Sequence, residues 1–293
     1  MEDKNKSQVI DEWGVRPLQL YLTEMLKYFH TLCEGAGIHY SVMGGTALGV
    51  ARHKGFIPWD DDIDLFMFEE DYIKFKKLFE KEGDKSKYYL EERSVDGKNI
   101  QFVKLRANNT TYIEEPLKDW DIHHGVFLDI FIVNECPGSL RSLISMTFWE
   151  LFLSLMVVVN VGTHNKNICF RSFVKLLQWI LPRRFLVDYA RAQLSKYRGN
   201  GERFIYHYYP RSNCLRGVYP SIMFKKTTLR PFEDILVRCP VYLNDYLTVL
   251  YGDWESFPSR ESIKRSQHAS YWSLDKDFVR VKSGTFSDEK FLI

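Results

Sequence analysis

The chain has 293 residues, 45% of them hydrophobic and 27% charged, with a formal net charge of +2. That size and composition argue against a disordered chain or a small stapled domain, and the near-neutral charge gives a nucleic-acid partner no support. Cys33, Cys136, Cys169, Cys214 and Cys239 are scattered, odd in number and contain no CxxC pair, which argues against a disulfide framework and a structural zinc site.

The polar start MEDKNKSQVIDEW lacks the apolar stretch of a signal peptide, so a cytoplasmic chain is expected. Residues 1–16 read as a loose arm. Pro17 suits a first helical position, and Leu18, Leu22, Met25, Leu26, Phe29 and Leu32 recur at helical spacing until Glu34-Gly35-Ala36-Gly37. Ile38–Met43 is a short strand candidate that delivers Gly44-Gly45. Glycines there let a phosphate approach the backbone, and Thr46 starts the next helix while offering a hydroxyl. Taken alone, Gly-Gly-Thr is only a turn.

Arg52, His53 and Lys54 form a basic step before Gly55-Phe56-Ile57-Pro58-Trp59. Such a triplet is a solvated loop by itself, but opposite an acidic metal site it can hold phosphates. Pro58 restricts Ile57 to an extended conformation and helps to aim the aspartates that follow. Asp62 and Asp64 flank Ile63, so strand alternation turns both carboxylates one way and Ile63 into the core. Side by side they repel, and a divalent cation between them relieves the repulsion. Asp60 and Asp61 read as a polar turn that supports the pair by hydrogen bonds.

Asp71–Glu82 is a second amphipathic helix, with Tyr72, Phe75, Leu78 and Phe79 inward. Strands are expected at Tyr88–Glu91, Ile100–Leu105 and Thr111–Glu114, separated by Asp96-Gly97 and Asn108-Asn109 turns. Lys104 and Arg106 share a face, as phosphate ligands or as exposed strand charges. Asp129 sits inside the apolar run 125–133, where a lone carboxylate is costly unless paired or metal-bound. A strand beside Ile63–Phe68 brings it to Asp62 and Asp64.

Residues 139–161 approach the length of a membrane span, but Glu150 near the middle disfavours spanning. A buried helix and a helix lying in the membrane interface are the preferred readings. Arg171–Leu181 continues the apolar character, flanked by Lys175, Arg183 and Arg184, as a layer docking on anionic lipid or as an internal helix. After Gly199-Asn200-Gly201, Phe232–Val241 reads as a strand, and Leu243, Tyr246, Leu247 and Leu250 as a helix stopping at Gly252. Residues 253–268, with Trp254, Arg265 and His268, read as a surface tail.

The stretch GGTALGVARHKGFIPWDDDIDLFM at 44–67 resembles the signature of the LicD family, within the nucleotidyltransferase-like superfamily and related to fukutin-type transferases. KLRANNTTYIE at 104–114, GVFLDIFIV at 125–133 and LTVLYGDWESFP at 247–258, with Arg265 and His268 beyond, are similar as well. The resemblance implies an α+β fold: a mixed β-sheet core flanked by helices at 17–135, a helical insertion at 136–200 and a helical C-terminal part at 201–293 packing on the core. It implies transfer of a phospho-alcohol group from a CDP-linked donor, CDP-choline favoured, to a hydroxyl of teichoic acid, lipopolysaccharide or capsule, with CMP released. Mg²⁺ or Mn²⁺ would sit on Asp62, Asp64 and Asp129, with Asp129 as ligand or base. Gly44, Gly45, Thr46, Arg52, Lys54, Lys104 and Arg106 would hold the donor phosphates, and Trp254, Arg265 and His268 the acceptor side. A lipid-linked acceptor would bring the chain to the inner face of the plasma membrane through 139–184. Two rivals stand beside this reading: nucleotide transfer with attack on the α-phosphate of an NTP, and a non-catalytic glycan-assembly module.

Overall fold

A computed structural model describes residues 11–92, 103–118, 122–158, 183–206 and 218–278. The expected Asp96-Gly97 turn and the helix at Arg171–Leu181 lie outside the described residues.

Helix α1 (Arg16–Gly35) takes Pro17 in its first turn and turns Leu18, Leu22, Met25, Leu26 and Phe29 inward. It leads to β1, only Ser41–Val42, then to helix α2 (Gly44–Arg52). This helix begins two residues before Thr46. Strand β2 (Asp64–Phe68) is followed at once by α3 (Glu69–Glu82), with Glu69, Glu70 and Asp71 at the helix start, where the dipole favours acids. Then come β3 (Tyr88–Glu91), β4 (Val103–Ala107), β5 (Thr111–Glu114) and the ten-residue β6 (Phe127–Cys136).

Among the described residues the main sheet runs β1-β2-β6-β4-β3. Strands β2 and β6 are parallel, with Asp64 opposite Asp129, while β4 pairs antiparallel with β6 and sets Lys104 opposite Asp129. The sheet is therefore mixed and flanked by helices, the α+β class expected from the sequence. Its core joins α1, the sheet interior and α3 through side chains such as Phe29, Phe66, Phe75 and Ile130.

The end of β6 leads into helix α4 (Leu140–Val158), which packs with α5 (Arg183–Leu194) over a separate small core that includes Met146, Leu153, Val187 and Ala190. Strands β7 (Phe204–Tyr206) and β8 (Val218–Pro220) extend the sheet from the far end of β6. A four-residue helix α6 (Ile222–Lys225) precedes the hairpin β9 (Thr227–Phe232) and β10 (Ile235–Pro240). The single strand expected at Phe232–Val241 is thus the second arm of a hairpin. Its turn holds Glu233 at φ 54°, and Glu233 N–H donates to Lys54 O at 2.8 Å. Helix α7 (Leu243–Tyr251), helix α8 (Arg260–Ser266) and β11 (Ala269–Ser273) complete the described chain. Strand β11 pairs with β5, which draws the expected surface tail back over the front of the sheet.

Candidate active site

The aspartate run enters β2 from an extended segment. The strand itself starts at Asp64, and Ile63 is fully buried while Asp62 and Asp64 stay partly open, as the alternation requires. One carboxylate oxygen each of Asp62, Asp64 and Asp129 lies within 4.8 Å of the others. The parallel pairing of β2 with β6 makes this cluster, since it holds Asp64 and Asp129 side by side. Gly44 makes room for it: a Cβ there would come within 2.5 Å of Asp64 Oδ2, and its φ of +54° lies in the region that favours glycine.

The electrostatics follow from this crowding. Burial, then Asp62 and Asp129, push the Asp64 carboxyl well above the ordinary range. Burial raises Asp129 to about 6; Glu114 and Asp62 add to the rise and Lys104 opposes it. Asp60 is raised in the same way by burial and its three aspartate neighbours. Burial also pushes Asp62 upward, but the adjacent His268 and its charge, with Lys104, hold it low. A fully ionised cluster therefore needs positive charge supplied to it. Three carboxylate oxygens at this spacing are the hard donors that Mg²⁺ and Mn²⁺ take, so the residues fit a divalent cation.

The supports are specific. Lys104 is 2% exposed and bridges Asp129 Oδ1 at 3.0 Å and Glu114 Oε2 at 3.3 Å, with its ammonium over the Phe127 ring. It lines the cleft through that pairing. Arg106 does not reach the cleft. It is buried, paired with Glu91, and donates to Gly125 O at 3.1 Å. Both cations are buried because β4 is an inner strand, so neither is an exposed strand charge. Thr46 is also buried; its Oγ1 accepts Asp64 N–H at 2.8 Å and fixes the start of β2. Gly44 N–H donates to Tyr246 Oη at 2.9 Å, a contact from α7 that no local motif announces.

His268 Nδ1 lies 3.1 Å from Asp62 Oδ2 and 3.3 Å from Asp61 Oδ1, and the closeness of those two carboxylates raises the imidazole to about 11. Asp61 Oδ2 accepts the His268 and Ala269 N–H groups at 2.8 Å each. The supporting role expected of Asp61 is thus a clamp on the start of β11. Arg265 falls in α8, just before this clamp.

Gly44, Asp62, Asp64, Lys104, Asp129 and His268 line a cleft of about 750 Å³ that also takes in Gly45, Arg52, Trp59, Tyr219, Trp254 and Phe257. The Arg52 guanidinium lies 4.0 Å from the centre of the Phe257 ring and donates to Trp254 O at 3.3 Å. Its Nη2 is buried without a hydrogen-bond partner. Helix α2 opens on the same cleft with no side chain capping it. Lys54 stands apart, exposed at φ 55°, on a neighbouring groove between α2 and α7.

Residues 37–138 match the family described as LicD/FKTN/FKRP, nucleotidyltransferase domain. The chain is 26% identical over 271 residues to the lipopolysaccharide cholinephosphotransferase LicD of Haemophilus influenzae, covering 85% of this chain and 94% of that protein. It is 30% identical over 108 residues to the human ribitol 5-phosphate transferase FKRP, covering 36% of this chain and 21% of that protein. The mouse FKRP is 32% identical over 96 residues, 32% of this chain and 19% of its own length. The matched region holds the glycine turn and all three clustered carboxylates, so residues 37–138 are similar to the nucleotidyltransferase domain of the LicD/FKTN/FKRP family at the positions that build the site.

Proposed function

We propose that the chain is a divalent-metal-dependent transferase that moves a phospho-alcohol group, phosphocholine foremost, from a CDP-linked donor to a hydroxyl of a cell-surface glycan. The observation that carries this reading is the Asp62, Asp64 and Asp129 cluster, set in an aromatic-lined cleft beside an uncapped helix start. The relatives named as cholinephosphotransferase and ribitol 5-phosphate transferase support a phospho-alcohol as the group moved.

Asp62 and Asp64 would hold the cation, with Asp129 as the third oxygen ligand. When bound, Mg²⁺ neutralises phosphoryl charge and screens the approach of the nucleophile. The first turn of α2 offers N–H groups to the diphosphate, and Arg52 Nη2 is a free donor for its remaining charge. Lys104 keeps Asp129 facing the cluster. His268 orients Asp62 through their ion pair. The acceptor oxygen attacks the distal phosphorus, a new phosphodiester bond forms, and the bond to CMP breaks with its electron pair leaving on the CMP phosphate. Asp129 accepts the hydroxyl proton. Positioning and electrostatics supply most of the rate.

The test is incubation of the purified chain and Mg²⁺ with CDP-choline, CDP-ribitol, CDP-glycerol and CTP in turn, with an acceptor sugar, following nucleotide release by mass spectrometry. EDTA-sensitive CMP release from one CDP-alcohol supports the reading and identifies the donor. Pyrophosphate release from CTP would replace it with nucleotidyl transfer.

A further inference from the structure

Helix α4 is built inside out. Its buried side is Ser142, Met146, Glu150 and Leu153, whereas the opposite side presents larger apolar groups to the exterior. Leu140, Ile144, Phe148 and Leu151 are 70, 62, 54 and 44% exposed, at spacings of four, four and three that place them on one face. Phe185 and Tyr189 of α5 continue the patch at 56 and 49% exposed. Trp149 ties the two helices together against Tyr189, with ring centres 5.4 Å apart. Six of the large exposed hydrophobic side chains thus gather on adjacent helices, whereas ordinary surfaces scatter them singly.

Charge distinguishes among occupants. Of the described side chains in 136–158 and 183–200, four are basic (Arg141, Arg191, Lys196 and Arg198) and two acidic (Glu150 and Asp188), a net +2 that equals the total of the whole chain. Arg198 is committed to Glu69 at 3.2 Å, and Glu150 is turned inward, so the outer balance remains positive. An apolar face with aromatic side chains and a basic surround is the make-up of a segment that lies in the headgroup layer of an anionic bilayer. No helix among the described residues is long and apolar enough to cross a membrane. We infer that the exposed face of α4 and α5 docks the protein in the plane of an anionic lipid surface. This inference does not depend on which group the cleft transfers.

The test is flotation of the full-length protein with vesicles of phosphatidylcholine alone and of phosphatidylcholine with an equal amount of phosphatidylglycerol. The wild type should float with the anionic vesicles, lose that binding as salt is raised, and bind neutral vesicles at least about tenfold less. The variant Ile144→Gln/Phe148→Gln/Phe185→Gln should lose at least about tenfold in binding, with unchanged melting temperature and unchanged CMP release on a soluble acceptor. Should that variant fold poorly, Arg141→Glu alone should weaken anionic-vesicle binding severalfold. A wild type that does not float, or variants that float as well as it does, would overturn the inference. Concentration-dependent self-association that the triple variant abolishes, without vesicle binding, would assign the face to a second copy and equally overturn it.

Discussion

Gly44→Ala separates the backbone cost of this turn from its effect on the cluster. At φ +54° an L-residue costs roughly 1–2 kcal/mol, and the added Cβ would meet Asp64 Oδ2 at 2.5 Å, well inside contact distance. Asp64 is short and pinned by Thr46 through its own N–H, so the carboxylate itself must move. A displacement on the order of 1 Å at a metal-holding group is enough for about a hundredfold loss of turnover. Gly37→Ala is the matched control: φ is +63°, and nothing lies within 4 Å of the added Cβ. Both variants should lose about 1–2 kcal/mol in urea denaturation. Only Gly44→Ala should lose donor-dependent CMP release, by about a hundredfold or more. Full activity of a folded Gly44→Ala would refute the claim that the glycine is there to admit the Asp64 carboxylate.

Asp64→Asn should abolish turnover yet raise the melting temperature in EDTA, because burial and its carboxylate neighbours disfavour the ionised Asp64 in the metal-free fold; scanning fluorimetry reads this directly. Lys104→Met removes a buried ammonium and leaves Asp129 and Glu114 facing each other, so a loss of about 3–5 kcal/mol is expected in urea denaturation. His123 supplies a pH dependence. Its Nδ1 accepts Gly125 N–H at 3.1 Å while Nε2 pairs with Asn108 Oδ1 at 3.0 Å, the arrangement of a neutral ring. Burial, assisted by Arg106, pushes it down to about 4. The folded value lies below the unfolded one, so stability is full above about pH 6.5 and falls as pH drops towards 4, by at most about 3 kcal/mol. His123→Gln should flatten that part of the pH–stability curve.

Much of the site was legible because it is local. Gly44-Gly45, the alternation around Ile63 and the lone acid in 125–133 each carry their own signal, and two apolar strands placed as neighbours bring Asp64 and Asp129 together. What the sequence left open depends on strand order and on contacts made far along the chain. Lys104 and Arg106 alternate as strand charges, and only the position of β4 between β3 and β6 shows that both are buried. Thr46 has the chemistry of a phosphate ligand but spends its hydroxyl on Asp64 N–H. Tyr246, which takes the Gly44 N–H, lies 202 positions away, and the Asp61 clamp reaches across 207. Of the 227–240 hairpin the sequence shows only a strand at Phe232–Val241, because the turn residue at positive φ is Glu233, not glycine or asparagine. That conformation is held by Lys54 O and by the Phe56 N–H on the Glu233 carboxylate.

The most direct test of the central claim is calorimetric titration of Mn²⁺ into the EDTA-treated, dialysed wild type and into Asp64→Asn. The account predicts saturable binding by the wild type and at least about tenfold weaker binding by the variant, which keeps its fold but loses one of three oxygen ligands. Equal binding by both proteins would contradict it, because the cation would then sit somewhere other than on Asp62, Asp64 and Asp129.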